Sequence, residues 1–152
     1  MSGYLNNEKA TKEAFAGGWF RSGDLGVSYG QGRFEIKDRS KDIIISGGEN
    51  IASGEVEDVL LMHPLVAECA VIGMPHAKWG EVPVAFIVTR AADGATGAAG
   101  ASSIDTDEML KFARGKLAGF QSPKAIFVVS ALPKTGTGKV QKNELRKLLP
   151  QA

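Results

Sequence analysis

What the chain lacks narrows its class before any motif is read. It holds one cysteine in 152 residues. That residue, Cys69, cannot form an internal disulfide, and it lies in the apolar run 66–74, where a thiol is buried as a small hydrophobe. Such usage suits a reducing compartment, and the expected location is cytoplasmic. No apolar stretch is long enough to span a bilayer, and the opening MSGYLNNEKATKEAF has neither the basic start nor the apolar core of a secretion signal. Charge of one sign is missing as well: 18 basic residues nearly balance 17 acidic ones. No global field draws the chain to nucleic acid or to an anionic membrane surface, so any anion site is local. His63 and His76 stand without partners at metal-ligand spacing, and no metal site is expected.

What is present suffices for one compact domain with a core: 43% of the residues are hydrophobic. Residues 24–37 alternate in strand fashion around Gly30-Gln31-Gly32, which predicts a β-hairpin. A β-branched run at 42–46 reads as a strand opening into a tight loop at Gly47-Gly48. Ser53 is an expected N-cap for a helix that His63-Pro64 stops. Three core strands follow, at 66–74, 82–89 and 125–129. Residues 91–103, rich in Gly, Ala and Ser, predict a flexible surface loop. Asp105 with Glu108 predicts a capped helix whose stripe of Met109, Phe112, Ala113 and Leu117 runs to Gly119, and 141–149 reads as a terminal helix. The expected fold is α+β (mixed α/β) in two layers: a two-stranded hairpin, then a small three-stranded sheet flanked by helices.

Three clusters could carry chemistry. In Pro133-Lys134-Thr135-Gly136-Thr137-Gly138-Lys139, two glycines free the backbone to approach a ligand and a lysine brings compact positive charge. The loop fails the Walker pattern, because Val140 stands where a magnesium-binding Ser or Thr is needed. By itself it reads either as a surface turn or as an anion site. The stretch 18–26 sets Asp24 between glycines, as a carboxylate for vicinal hydroxyls or as a plain turn cap. The stretch 32–51 alternates charges and then reaches Gly47-Gly48. It is either a solvated edge or a place where Arg39 and Lys41 meet nucleotide oxygens and a narrow ligand passes the backbone.

In this order, GWFRSGDLG, GRFEIKDRSKDIIISGGENI and LPKTGTGKVQK resemble the C-terminal motif set of the adenylate-forming superfamily, which joins acyl-CoA synthetases, luciferases and peptide-synthetase adenylation domains. Between them HPLVAECAVIGMPHAKWGEVPVAFIV is similar to the family's central sheet, and GYLNNEKATKEAF to the end of its large domain. The resemblance covers nearly the whole chain.

It implies an ATP-dependent acyl-CoA ligase that activates a carboxylic acid, expected to be fatty, as an acyl-adenylate and then passes the acyl group to CoA. Residues 1–37 would be the tail of a large N-terminal domain, and 38–152 a mobile lid hinged near Asp38. Lys139 matches the lysine that bridges carboxylate and phosphate oxygens; Asp24 matches the residue that binds the ribose hydroxyls, and Arg39 an arginine of that region. Ser46, Gly47, Gly48 and Glu49 would line the pantetheine path. Magnesium would arrive with ATP, and the chief partner would be the N-terminal domain of the same enzyme. Trp79 is assigned a packing role. Ala52-Ser53-Gly54-Glu55 departs from relatives that carry a proline before the helix. The family's phosphate loop and acyl-binding region are absent, so the 152 residues alone should not turn over. Other readings are an adenylation enzyme with a carrier-protein or luciferase-like acceptor, and a stand-alone nucleotide- or CoA-binding module.

Overall fold

The computed structural model describes residues 1–90 and 104–150; the loop expected at 91–103 lies outside the described residues. The chain divides into two compact units, Met1–Lys41 and Asp42–Ala152.

The first unit holds a short helix α1 (Glu8–Ala14), with Asn7 as cap, and a hairpin of β1 (Asp24–Gly30) and β2 (Arg33–Arg39). Gln31 and Gly32 make the two-residue turn, both at positive φ (51° and 76°), as a type I′ hairpin requires. Leu25 pairs with Asp38 but Gly26 pairs with Ile36, so Lys37 is an extra residue that bulges β2. Trp19, Tyr29, Phe34 and Ile36 are exposed apolar side chains of this unit.

The second unit is built on β5 (Val66–His76) and β6 (Gly80–Thr89), a long antiparallel pair. β6 is buried along nearly its whole length and its side chains alternate between two cores. Ala85 and Ile87 pack with Val56 and Leu60 of α2 (Ser53–Leu61) and with Met109 and Ala113 of α3 (Thr106–Arg114). Val84, Phe86 and Val88 pack on the other side with Leu132 and with Leu145 of α4 (Lys142–Lys147). Helices therefore cover both faces of the sheet, where the interleaving of strands and helices along the sequence suggested two layers. On its other edge β6 pairs in parallel with β7 (Ala125–Val128), and Phe86 stacks on Phe127 at 4.9 Å.

The sheet gains two strands over the three expected. Ile44–Ser46 (β3) turns back through Gly47 and Gly48 into Glu49–Ile51 (β4), and Ser46 pairs with Gly80 at the start of β6. Both glycines have positive φ (60° and 89°), again the two-residue turn.

Other expectations shift for local reasons. Ser53 is not the cap of α2: Ala52 holds that place, and the buried Ser53 hydroxyl accepts a hydrogen bond from Lys142 Nζ. Asp105 does cap α3, accepting from the Asp107 and Glu108 amides. That helix ends at Arg114, with Gly115 as its C-cap, rather than running to Gly119.

Candidate functional site

In the first unit Asp24 and Arg39 are register partners at the open end of the hairpin, and Arg39 Nε lies 3.5 Å from Asp24 Oδ1. The hairpin's geometry thus brings together the two residues the sequence marks for a nucleotide. The Asp24 amide donates to Ser22 Oγ (3.2 Å), so the local turn is held without using the carboxylate as its cap. Asp38 sits inside the β2 ladder opposite Leu25, its Oδ1 accepting the Arg39 amide at 2.7 Å. One further backbone bond, from the Ser40 amide to the Gly23 carbonyl (2.8 Å), ties the chain to this unit. Asp42 is already anchored in the second unit, where Arg146 Nη2 of α4 donates to its Oδ1 at 3.1 Å. The units part between Lys41 and Asp42, three residues beyond Asp38.

In the second unit a cavity of about 300 Å³ is lined by Ser46, Gly47, Glu49, Trp79, Gly119, Phe120 and Lys124. Three of the four residues expected along a pantetheine path converge here; Gly48 does not line it, and serves the turn. The Gly47 amide donates to the Trp79 carbonyl at 2.8 Å. A side chain at Gly47 would meet the indole at 2.9 Å, so the missing Cβ is what admits Trp79. Trp79 therefore packs, as its sequence context suggests, yet it also forms a wall of the cavity. Lys78 lies over its ring, 4.6 Å from the centroid.

Phe120 and Lys124 arrive from the segment between α3 and β7. The Lys124 amide donates to the Pro83 carbonyl (2.8 Å), which fixes the segment beside β6. Two aromatic faces, one ammonium and a bare stretch of backbone suit a ligand that carries a flat ring, an anionic group and a thin polar chain. The sequence reading missed Gly119, Phe120 and Lys124. The available signal was an aromatic next to a glycine, four residues before the lysine that precedes a strand.

Lys139 stands on a third structure. Lys134 bridges to Val140, the Thr135 amide donates to the Lys139 carbonyl (2.8 Å), and the Lys139 amide donates to Thr135 Oγ1 (3.1 Å). Gly138, at φ 83°, closes the turn. Lys134 is used structurally, paired with Glu68 at 2.7 Å, whereas among the described residues no carboxylate pairs with the exposed Lys139 ammonium. The far end of the loop is pinned by Gln141, whose side chain donates to the Lys134 carbonyl, and by Lys142, which bonds Glu57 at 2.8 Å. A rigid base under an available cation is an arrangement for meeting an oxyanion.

Cys69 is not a nucleophile. Burial, with a smaller push from the Glu57 carboxylate and an opposing one from Lys142, holds its thiol well above the ordinary range.

Asp24 and Arg39 of the first unit and Lys139 of the second are all exposed. The family model described as AMP-binding enzyme C-terminal domain matches residues 55–139, more than half of the chain, and the chain belongs to that family. Among curated proteins it is similar to an acetate–CoA ligase of Humulus lupulus and to a peroxisomal benzoate–CoA ligase of Arabidopsis thaliana, 48% identical to each over 96% of this chain. Among solved structures it matches the o-succinylbenzoate CoA synthetase of Bacillus subtilis in complex with its acyl-adenylate intermediate. The TM-score is 0.81 at 38% identity, over 96% of this chain. The chain spans about a quarter of the length of these proteins: 25%, 26% and 28%. Among the described residues no helix is long and apolar enough to cross a membrane.

Proposed function

We propose that this chain is the movable C-terminal part of an AMP-forming acyl-CoA ligase and serves its two half-reactions with different surfaces. The observation that carries this reading is that Lys139 and the cavity at Ser46 and Trp79 belong to separate loops of one compact unit. A single rotation can therefore exchange one for the other at a shared active site.

In the first half-reaction a carboxylate oxygen attacks the α-phosphorus of ATP, a P–O bond forms, and pyrophosphate leaves with its bonding pair. Negative charge gathers on oxygens of both reactants, and Lys139 supplies a positioned ammonium to them. Asp24 accepts hydrogen bonds from ribose hydroxyls, with Arg39 beside it to orient the carboxylate. Magnesium enters with ATP. In the second half-reaction the CoA thiolate attacks the acyl carbonyl and AMP leaves. The pantetheine passes Ser46, Gly47 and Glu49, and the rings of Trp79 and Phe120 with the Lys124 ammonium receive the nucleotide end of CoA.

The pivot of the rotation is Lys41. Backbone bonding holds the chain to the first unit through Ser40, and Arg146 holds Asp42 to the second. A pivot at Lys41 lies three residues past Asp38, whose backbone belongs to β2, and the division of the chain between Lys41 and Asp42 supports that reading. The exposed apolar side chains of the first unit, among them Trp19 and Phe34, face the large domain of the complete enzyme.

The acid we propose is a carboxylic acid of modest size, because acetate and benzoate appear in the names of the two relatives. A long-chain fatty acid has no counterpart there. The test is to assay the complete ligase for acid-dependent pyrophosphate release and for CoA thioester formation with acetate, benzoate and a long-chain acid. Thioester from one of the small acids supports the reading. Adenylate formation that never leads to a CoA thioester contradicts it.

A further inference from the structure

Ser46 and Gly47 of the cavity wall, and Ile45 before them, lean on three successive residues of the β5–β6 turn and of β6, and the third contact is made by a side chain. Ser46 pairs with Gly80, and the Gly47 amide donates to the Trp79 carbonyl at 2.8 Å. One step away the Ile45 amide donates to a side chain, Glu81 Oε2, at 3.2 Å. Ser46↔Gly80 is the whole register between β3 and β6, so β3, though paired along its length with β4, is lightly held against β6 and each added bond between them counts.

Glu81 reaches Ile45 because of a glycine on the neighbouring strand. Gly73 pairs with Pro83 and Pro75 with Glu81, which makes Gly73 and Glu81 diagonal neighbours on adjacent strands. A Cβ at Gly73 would stand 2.8 Å from Glu81 Oε2, 2.9 Å from its Cδ and 3.2 Å from Oε1. The carboxylate therefore occupies the space where a side chain at 73 would be. Gly73 has no left-handed φ to account for its identity, since it is absent from the positive-φ glycines.

We propose that Glu81 is a positioning residue for the thioester step, holding the Ser46–Gly47 wall of the cavity through Ile45, and that Gly73 is the vacancy that lets it do so. This rests on the reading that the cavity receives CoA. Glu81 touches neither the cavity nor a reacting atom by itself; it fixes the strand from which Ser46 and Gly47 are presented.

The test uses the complete ligase and measures adenylate formation and CoA-dependent thioester formation separately, with thermal melts of each variant. Glu81→Ala raises KM for CoA by about three- to tenfold while adenylate formation stays within about twofold. Glu81→Gln keeps an acceptor and stays within about twofold of the unsubstituted enzyme. Gly73→Ala pushes the carboxylate off Ile45 and reproduces the rise in KM, and it adds nothing further in the Glu81→Ala background. Should Glu81→Ala fail to fold, Gly73→Ala carries the test, because the three atoms nearest its added Cβ all belong to the carboxylate tip of the flexible Glu81 side chain. An unchanged KM for CoA in Gly73→Ala, or equal losses in both half-reactions with a lowered Tm, overturns the proposal. If the unsubstituted enzyme forms no CoA thioester at all, the functional reading fails first and this inference with it, and that result is recognisable before any variant is made.

Discussion

The indole of Trp79 lies where a side chain on Gly47 would stand, 2.9 Å from the position its Cβ would take. The same glycine has a φ of 60° and donates its amide to the Trp79 carbonyl. Gly47→Ala is thus expected to displace the indole, narrow the cavity and strain the turn, at a cost of about 1–2 kcal/mol. KM for CoA should rise with little change in adenylate formation. Steady-state kinetics on each half-reaction check this, and an unaltered KM for CoA would argue that the cavity receives something else.

The Asp24–Arg39 pair is exposed, so it adds little to stability, less than about 1 kcal/mol. Asp24→Ala should leave the melting temperature nearly unchanged while raising KM for ATP by about tenfold or more. A drop in Tm without an effect on ATP would make the pair a hairpin clasp only.

Proline tests the pivot. Lys41→Pro fixes φ at the residue between the Ser40 and Asp42 anchors, and should slow thioester formation by about tenfold or more while sparing adenylation. A selective loss in Asp38→Pro, with none in Lys41→Pro, would move the pivot back to the position read from the sequence.

Cys69 gives a pH-dependent signature. Its folded pKa is raised by burial, whereas an unfolded thiol ionises near pH 8.5. Above that pH the unfolded chain loses a proton that the folded chain keeps, so the contribution of this group to stability is complete below about pH 8.5 and declines as pH rises. At pH 9 a thiol reagent should modify native Cys69 at least about a hundredfold more slowly than in urea. Comparable rates would mean that the thiol is not held buried.

Much of this was legible in the sequence because the informative residues are close together along the chain. The glycines around Lys139, the hairpin that pairs Asp24 with Arg39, and the continuous β-branched apolar runs of β5 and β6 are local patterns, and local patterns survive without a structure. β3 falls within the strand read at 42–46, but β4 has three residues, too few for alternation to show, so the turn between them read as a loop and neither strand was counted in the sheet. Ser53 has the chemistry of a cap, but a lysine 89 residues away claims its hydroxyl. The cavity draws on Ser46, Gly47 and Glu49, on Trp79, and on Gly119, Phe120 and Lys124, and no sequence window spans that range. Trp79 read as packing because one side of it does pack; that its other side bounds a cavity depends on Phe120 and Lys124 arriving from beyond α3.

The central claim is a division of labour between the Lys139 loop and the cavity. It is tested most directly by measuring, in the Lys139→Ala form of the complete ligase, both acid-dependent pyrophosphate release and thioester formation from preformed acyl-adenylate and CoA. The account predicts that the first falls by about a hundredfold or more while the second stays within about threefold. Equal loss of both, or survival of both, would contradict it.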